Sequence, residues 1–377
     1  MEKIKNKIKV LHIMSSLNAS GGVMAVVKNY WEFFDKEKFD FDVAYFLDVK
    51  DNLREFFTKT GAGLYKFDRL NLKNFKKVVN QLQEIIEKSN CDIIHLHIPI
   101  IQSCVKKAKN QIEKKNPEKK IKLIQSAHGA KLSTSFVRAF RNKLMLTGVT
   151  TQTDKFLACS RVAGKKFFGR KFFKNGEILY NAINIDKFSK NDDKKIEALK
   201  KELNLKDEKV YCHIGRICEE KNQKFIVDIF NEIVKKEPNS ILWLIGFGEG
   251  KQLADLKDKI KQLNLQDKIK LLSTRSDVNL LLKLSHAVIF PSTQEGLGVV
   301  LIEGQIAKTL CFASSVCPEE TKISNLIKYI SLKKSPAYWA EEILKTEYPE
   351  KVEIEIDKWD IRKQAKVLER IYKDLLK

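Results

Sequence analysis

The sequence has no run of about 18 apolar residues, so no helix long enough to cross a membrane is expected. It has no Cys-x-x-Cys pair. Its seven cysteines (Cys91, Cys104, Cys159, Cys212, Cys218, Cys311 and Cys317) are odd in number and match neither zinc nor disulfide spacing. They read as buried thiols of a reducing compartment. Proline (7) and glycine (16) are too sparse for a fibrous or low-complexity chain. Acid is short as well: 48 Asp+Glu against 70 Lys+Arg leave a net charge of +22. That charge says nothing about fold, but it calls for an anionic partner: a nucleic acid, a phosphorylated small molecule or an acidic membrane. What is present is apolar residues at 43% over 377 residues, enough to exclude disorder and to favour two domains over one core.

The N-terminus, MEKIKNKIKVLHIMSSL, sets basic residues before an apolar stretch, as a signal peptide does. The stretch is only Val10–Met14, and it reads as the first strand of a cytoplasmic protein. Along the first half, apolar strands (Lys9–Met14, Phe41–Phe46, Cys91–His97, Lys122–Ser126, Phe156–Ser160, Gly176–Tyr180) alternate with amphipathic helices over Gly22–Phe34 and Asn74–Lys88. The second half repeats the plan, with strands over Lys209–Gly215, Ser240–Gly246, Ile269–Leu272, His286–Phe290 and Thr309–Ser314. Polar Asn191–Lys195 separates the halves. Such alternation predicts α/β architecture, two Rossmann-like doubly wound domains with parallel sheets. The expected divisions are residues 1–185, residues 186–357, and a closing amphipathic helix over 358–377 that docks on the first domain.

Four groups of residues invite chemistry. Ser20-Gly21-Gly22 lies between the first strand and the first helix, where a backbone without Cβ atoms lets an anion approach the helix N-terminus; a plain tight turn is the alternative. Arg216 and Lys221 follow a strand end, at the edge where such folds bind ligands, and suit a diphosphate; solvated surface cations are the alternative. In Ser292–Gly304, Glu295 and Glu303 flank a Gly-rich turn at a helix start. Carboxylates there can accept hydrogen bonds from sugar hydroxyls, while the amides of Gly296, Leu297, Gly298 and Val299 hold phosphate; a capped surface helix or a glycosidase pair competes. His128, just past a strand end, reads either as a cleft-facing ligand or as a core histidine. His95 and His97 share one face of a strand, but a metal would need further ligands that no recognised motif supplies, and no metal is expected.

Taken in order, Gly21-Gly22, His128-Gly129, Asn181-Ala182-Ile183, Gly215-Arg216 with Lys221-Asn222, Gly246-Phe247-Gly248-Glu249-Gly250 and Glu295-x7-Glu303 resemble the GT4 family of retaining glycosyltransferases over nearly the whole chain. Gly22-Val23, Asn29-Tyr30-Trp31, Lys38–Asp42, Glu319–Ile323 and Ser335-Pro336 with Trp339-Ala340 resemble, more narrowly, bacterial enzymes that build capsular or exopolysaccharide repeat units. The resemblance implies the GT-B fold, two Rossmann-like domains facing a cleft, with the first binding the acceptor and the second the nucleotide sugar. It implies transfer of a hexose or N-acetylhexosamine, with retention, from a nucleotide diphosphate sugar (a UDP-sugar) to a glycan or lipid-pyrophosphate-linked acceptor. Arg216 and Lys221 would clamp the diphosphate, Glu303 the ribose, Glu295 and Gly296–Val299 the donor sugar and phosphate, Gly21 and Gly22 the phosphate, His128 the sugar, and Ser273, Thr274 and Arg275 the nucleobase. No cofactor or metal is implied beyond the donor. Three positions depart from the family pattern: Asn184 where Asp is frequent, Met24 where an acid is usual, and Lys308 where glycine is common.

Competing readings are a nucleotide-sugar hydrolase or epimerase on the same fold, and a basic nucleic-acid-binding protein. The basic clusters Lys106–Lys122 and Lys155–Lys174 carry no nucleic-acid module and fit an anionic membrane better. The expected location is therefore cytoplasmic and peripheral on the inner face of the bacterial plasma membrane.

Overall fold

The computed structural model describes residues 7–18, 22–49, 52–71, 73–128 and 152–377. The chain divides into two units, one made of residues 1–182 with Ile361–Lys377 and the other of Ile183–Asp360.

In the first unit the strands are β1 (Ile8–Ile13), β2 (Phe39–Tyr45), β3 (Leu64–Lys66), β4 (Ile93–Leu96), β5 (Lys122–Ala127), β6 (Lys155–Ala158) and β7 (Gly176–Ile178). They pair in the order β3-β2-β1-β4-β5-β6-β7, all parallel. The helices are α1 (Gly22–Phe33), α2 (Arg54–Lys59), α3 (Phe75–Ser89), α4 (Gln102–Lys115), α5 (Arg161–Phe168) and α6 (Arg170–Asn175). Strand alternation sends Leu11 and Ile13 to one face, against Val78, Leu82 and Ile86 of α3 and Val105 of α4. Val10, Ile93 and Ile124 point to the other, against Tyr30 and Trp31 of α1.

The second unit contains β8 (Lys209–Ile214), β9 (Ser240–Ile245), β10 (Ile269–Leu272), β11 (Ala287–Phe290), β12 (Leu310–Ser314) and β13 (Ile327–Ile330), in the parallel order β10-β9-β8-β11-β12-β13. Its helices are α7 (Ile185–Ser189), α8 (Asp193–Glu202), α9 (Gln223–Lys236), α10 (Gly250–Gln262), α11 (Val278–Leu284), α12 (Val299–Ile306) and α13 (Pro336–Leu344). Tyr211, Leu244, Ile289 and Phe312 of the sheet meet Phe230 of α9 and Trp339 of α13 in one core. Both sheets are doubly wound, as the alternation of strand and helix predicts. Each changes winding direction between its first and fourth strands in chain order, β1/β4 and β8/β11, and ligands of open parallel sheets bind outside the carboxyl ends at such points.

The chain then returns to the first unit. Helix α14 (Ile361–Leu375) buries Ile361, Ala365, Leu368, Ile371 and Tyr372 in the core that holds Tyr30 and Trp31. Asp35 N donates to Glu369 at 3.0 Å, and Arg370 pairs with both Glu177 and Asp374. Asn191–Lys195 is not a linker throughout: the Asp192 side chain accepts from Lys195 N and caps α8.

Candidate functional site

The second unit gathers the predicted cations and carboxylates at the carboxyl edge of β8 and β11. After β8 come Gly215 and Arg216, then a single 3-10 turn, Glu219–Lys221, and Asn222 in the left-handed region at φ 57°. The Asn222 side chain donates to Pro291 O at 3.2 Å, and Thr293 N donates to Glu220 O at 2.8 Å. These two bonds lash the β8 and β11 loops together. Across that junction Lys221 Nζ meets Glu295 Oε1 at 2.6 Å, with the Phe290 ring 4.6 Å beneath the ammonium. Gln223 Nε2 holds the Arg216 carbonyl at 2.9 Å, and the Arg216 side chain is exposed with no ion pair among the described residues.

Helix α12 starts at Val299 from Gly298 at φ +86°, a conformation that glycine tolerates without strain. The predicted donor amides of Gly296, Leu297, Gly298 and Val299 therefore lie where the β11 loop enters a helix, and Glu303 projects from the second turn. Enclosure pushes the Glu303 carboxyl up to about 7, against the pull of the nearby Lys187 ammonium. A carboxyl so held gains from hydroxyl donors brought to it.

The β9 loop extends this edge. Gly246, at φ +144°, lies so close to Gly215 that a Cβ would stand 2.3 Å from the Gly215 carbonyl oxygen. Ile217 N donates to Phe247 O at 2.8 Å, and the Phe247 ring is exposed beside the Arg216 loop. Sequence reasoning passed over Phe247 as a site residue, although its Gly-Phe-Gly setting was visible. Beyond β9, Ser273 and Thr274 are exposed at the end of β10, two strands from β8. The Arg275 guanidinium is committed elsewhere, to Asp277 at 2.8 Å through Nε and to Glu202 at 2.6 Å. That leaves the backbone and the two hydroxyls of this loop for a base.

In the first unit Gly22 opens α1 with open space around its Cα; Gly21 and Ser20 lie outside the described residues, as does Gly129. His128 follows β5. Its Nε2 is 2.8 Å from His97 Nδ1, and His97 Nε2 is 2.9 Å from His12 Nδ1. His95 lies against His97, ring centroids 4.2 Å apart, with its nitrogens on Ser126 Oγ at 2.6 Å and Tyr372 OH at 2.7 Å. Register explains the cluster: His12 is paired with His95 across β1 and β4, and His95 with Ile124 across β4 and β5, so every second residue onward faces the same side. Burial holds His12 down at about 3 and His128 at about 4, the latter opposed by the Asn181 side chain; His95 and His97 also lie well below 6.5 through burial and their neighbouring imidazoles. Nitrogens of His12, His95 and His97 converge within 4.8 Å, as a metal would need. Five of their six ring nitrogens already make hydrogen bonds, so a metal would have to break them. The sequence showed His95 and His97 as a pair, but only sheet pairing brings in His12 and His128.

Residues 195–353 match the family model described as glycosyl transferases group 1. The chain is 25% identical, over 90% of its length and 90% of the relative, to the capsular polysaccharide biosynthesis glycosyltransferase CapH of Staphylococcus aureus. It is 23% identical, over 89% of its length and 86% of the relative, to EpsF of Bacillus subtilis (strain 168), also named as a glycosyltransferase. Among solved structures, Anabaena HepE in complex with UDP-glucose superposes with a TM-score of 0.73 at 17% identity, covering 98% of this chain and 96% of that one. The fold is therefore GT-B, and over most of its length the chain is similar to glycosyltransferases named for bacterial capsular polysaccharide synthesis and to relatives of the same kind.

Proposed function

We propose that the protein transfers a hexose or N-acetylhexosamine from a UDP-sugar to a lipid-linked or glycan acceptor, with retention at the anomeric carbon, as a step in surface polysaccharide synthesis. The observation that carries this reading is the Lys221–Glu295 pair at the β8/β11 switch point, with the exposed Arg216 on the β8 loop and the enclosed Glu303 on the helix that follows β11. HepE, of the same fold, is described in complex with UDP-glucose, which supports a uridine nucleotide donor.

In this reading the donor diphosphate competes with Glu295 for the Lys221 ammonium and takes the exposed Arg216 fork as its second partner. Glu295, released from sole pairing, accepts from the sugar hydroxyls. Glu303 accepts from the ribose, and the amides of Gly296–Val299 face sugar and phosphate. The base rests on the backbone and hydroxyls of Ser273 and Thr274. Gly21 and Gly22 serve the phosphate from the first unit, which takes the acceptor, and His128 hydrogen-bonds the donor sugar. Glu295 is engaged by the sugar hydroxyls and Glu303 by the ribose, so this reading assigns neither as the nucleophile of a glycosyl ester. A front-face course fits: the bond from the anomeric carbon to the phosphate oxygen breaks, and the acceptor oxygen bonds on the same side. The acceptor proton passes to the departing phosphate. The two cations stabilise charge as it develops there.

The experiment is a screen of nucleotide sugars with lipid-linked and free glycan acceptors, comparing the parent protein with Lys221→Ala. Turnover should fall about 100-fold to 1,000-fold in the variant with its thermal unfolding unchanged. Transfer at near-parent rates by a folded variant would sink the clamp assignment. Products run with and without acceptor separate transfer from donor hydrolysis or epimerisation on the same fold.

The second part of the reading is a membrane location. Helices α5 and α6 expose Phe173 (64%) and Val162 (50%) among Lys165, Lys166, Arg170, Lys171 and Lys174, an apolar pair in a basic field. Among the described residues no helix is long and apolar enough to cross a membrane. Co-sedimentation should be stronger with anionic than neutral vesicles and should weaken with salt; equal binding to both counts against it.

A further inference from the structure

Three imidazoles form one hydrogen-bonded line inside the first unit, His12 Nδ1 to His97 Nε2 and His97 Nδ1 to His128 Nε2. Each N···N contact takes one proton and one lone pair, and a neutral imidazole offers one of each. Burial keeps all three rings neutral. Three protons are then shared between two contacts, so one is left for an end of the line. Only two patterns exist. In one, His97 donates from Nδ1, His12 donates to His97, and the surplus proton is on His128 Nδ1. In the other every tautomer is reversed, and the surplus proton is on His12 Nε2.

The two ends differ. His12 Nε2 is buried without a partner among the described residues, its ring centroid 4.6 Å from that of Phe41, and an orphaned N–H against an apolar ring is rarer than an unused lone pair. His128 is partly exposed, and the Asn181 side chain beside it favours a proton on the ring. His128 Nδ1 is likewise buried with no hydrogen bond among the described residues, so what sets the two ends apart is the Phe41 ring against His12 and the Asn181 side chain beside a partly exposed His128. His95 stands outside the line, because Ser126 and Tyr372 occupy both of its nitrogens.

We propose that His97 and His12 are positioning residues that hold His128 as its Nδ1–H tautomer, so that His128 meets the donor sugar as a hydrogen-bond donor to a hydroxyl oxygen. The proposal rests on the reading that His128 touches the sugar. The tautomer itself does not, and it is measurable without substrate.

The test is nitrogen NMR of the full-length protein labelled with 15N-histidine, with His128 assigned by the signal lost in His128→Gln. The parent protein should show His128 protonated on Nδ1 and bare on Nε2, opposite to the tautomer that free histidine favours. His97→Phe keeps a flat ring without nitrogens and should free His128 toward the Nε2–H form, with kcat down about tenfold and the donor KM changed less than twofold. His97→Asn restores an N–H facing His128 Nε2 and should recover the tautomer and most of kcat. Should His97→Phe not fold, His12→Phe removes the donor at the far end and should loosen the same tautomer. A parent His128 protonated on Nε2, or a His128 tautomer unmoved by the folded variant, overturns the proposal. A protein with the locked tautomer but no sugar transfer would leave it standing and sink the functional reading instead.

Discussion

Glu303 and Lys308, five residues apart on and just after α12, show what single side chains contribute here. The Glu303 carboxyl rests at about 7 in the free protein because its charged form is enclosed. Hydroxyl donors favour the charged form, so nucleotide binding should release protons, and affinity should rise as pH climbs through 7. Calorimetry of UDP in buffers of different ionisation heat should find about half a proton released at pH 7. Glu303→Gln should bind more weakly and without that pH dependence. Lys308 holds φ 63°, where a side chain costs about 1–2 kcal/mol and glycine costs none. The departure from the family's glycine is thus a strained position, and Lys308→Gly should raise stability by about 1 kcal/mol in denaturant melts. Met24, the one hydrophobic departure, packs with Met14, Leu17 and Val27, so an acid there would be buried in apolar surroundings.

At the scale of elements, α14 carries the sharpest prediction. Leu368 is 2% exposed in a core shared with Tyr30, Trp31 and Phe41, and Leu368→Ala should destabilise the first unit by about 2–5 kcal/mol. Proteolysis should then cut within residues 7–182 before Ile183–Asp360. Elements with long apolar faces were legible in the sequence. Cys91–His97 and Ser240–Gly246 were predicted as strands, and the structure has β4 and β9 there to within two residues at each end. Helix α4 was seen only as a basic cluster, because its buried face is narrow, with Cys104, Val105, Ala108 and Ile112 outnumbered by lysine. Strand β13, the four residues Ile-Lys-Tyr-Ile, is too short for period two to stand out. The site was legible as residue types but not as contacts: Lys221 and Glu295 are 74 positions apart and meet only because β8 and β11 are neighbours.

For the whole molecule, all six histidines are held below 6.5 by burial: His12, His95, His97, His128, His213 and His286. An unfolded chain protonates them below about 6.5, and the folded chain does so only at much lower pH. The unfolded state therefore binds more protons as pH falls, and stability is lost steadily below 6.5. Urea unfolding at pH 7.5, 6.5 and 5.5 should show little change across the first step and a marked fall across the second. His12→Phe should flatten the loss by about 1.4 kcal/mol per pH unit. The net charge of +22 grows more positive over the same range and adds self-repulsion.

The return of α14 has a consequence for how the protein is made. Ile183 N donates to Trp359 O at 2.9 Å, so the second unit begins and ends at one place, like a cassette spliced into the first. Translation delivers that cassette, Ile183–Asp360, as an unbroken stretch, and it can fold as it emerges. The first unit cannot finish so early. Its sheet must wait, with Tyr30, Trp31 and Ile93 uncovered, while another whole unit is synthesised. A chain interrupted anywhere in the second unit thus carries an open apolar face on the first, a ready mark for chaperones and proteases that a completed chain has closed.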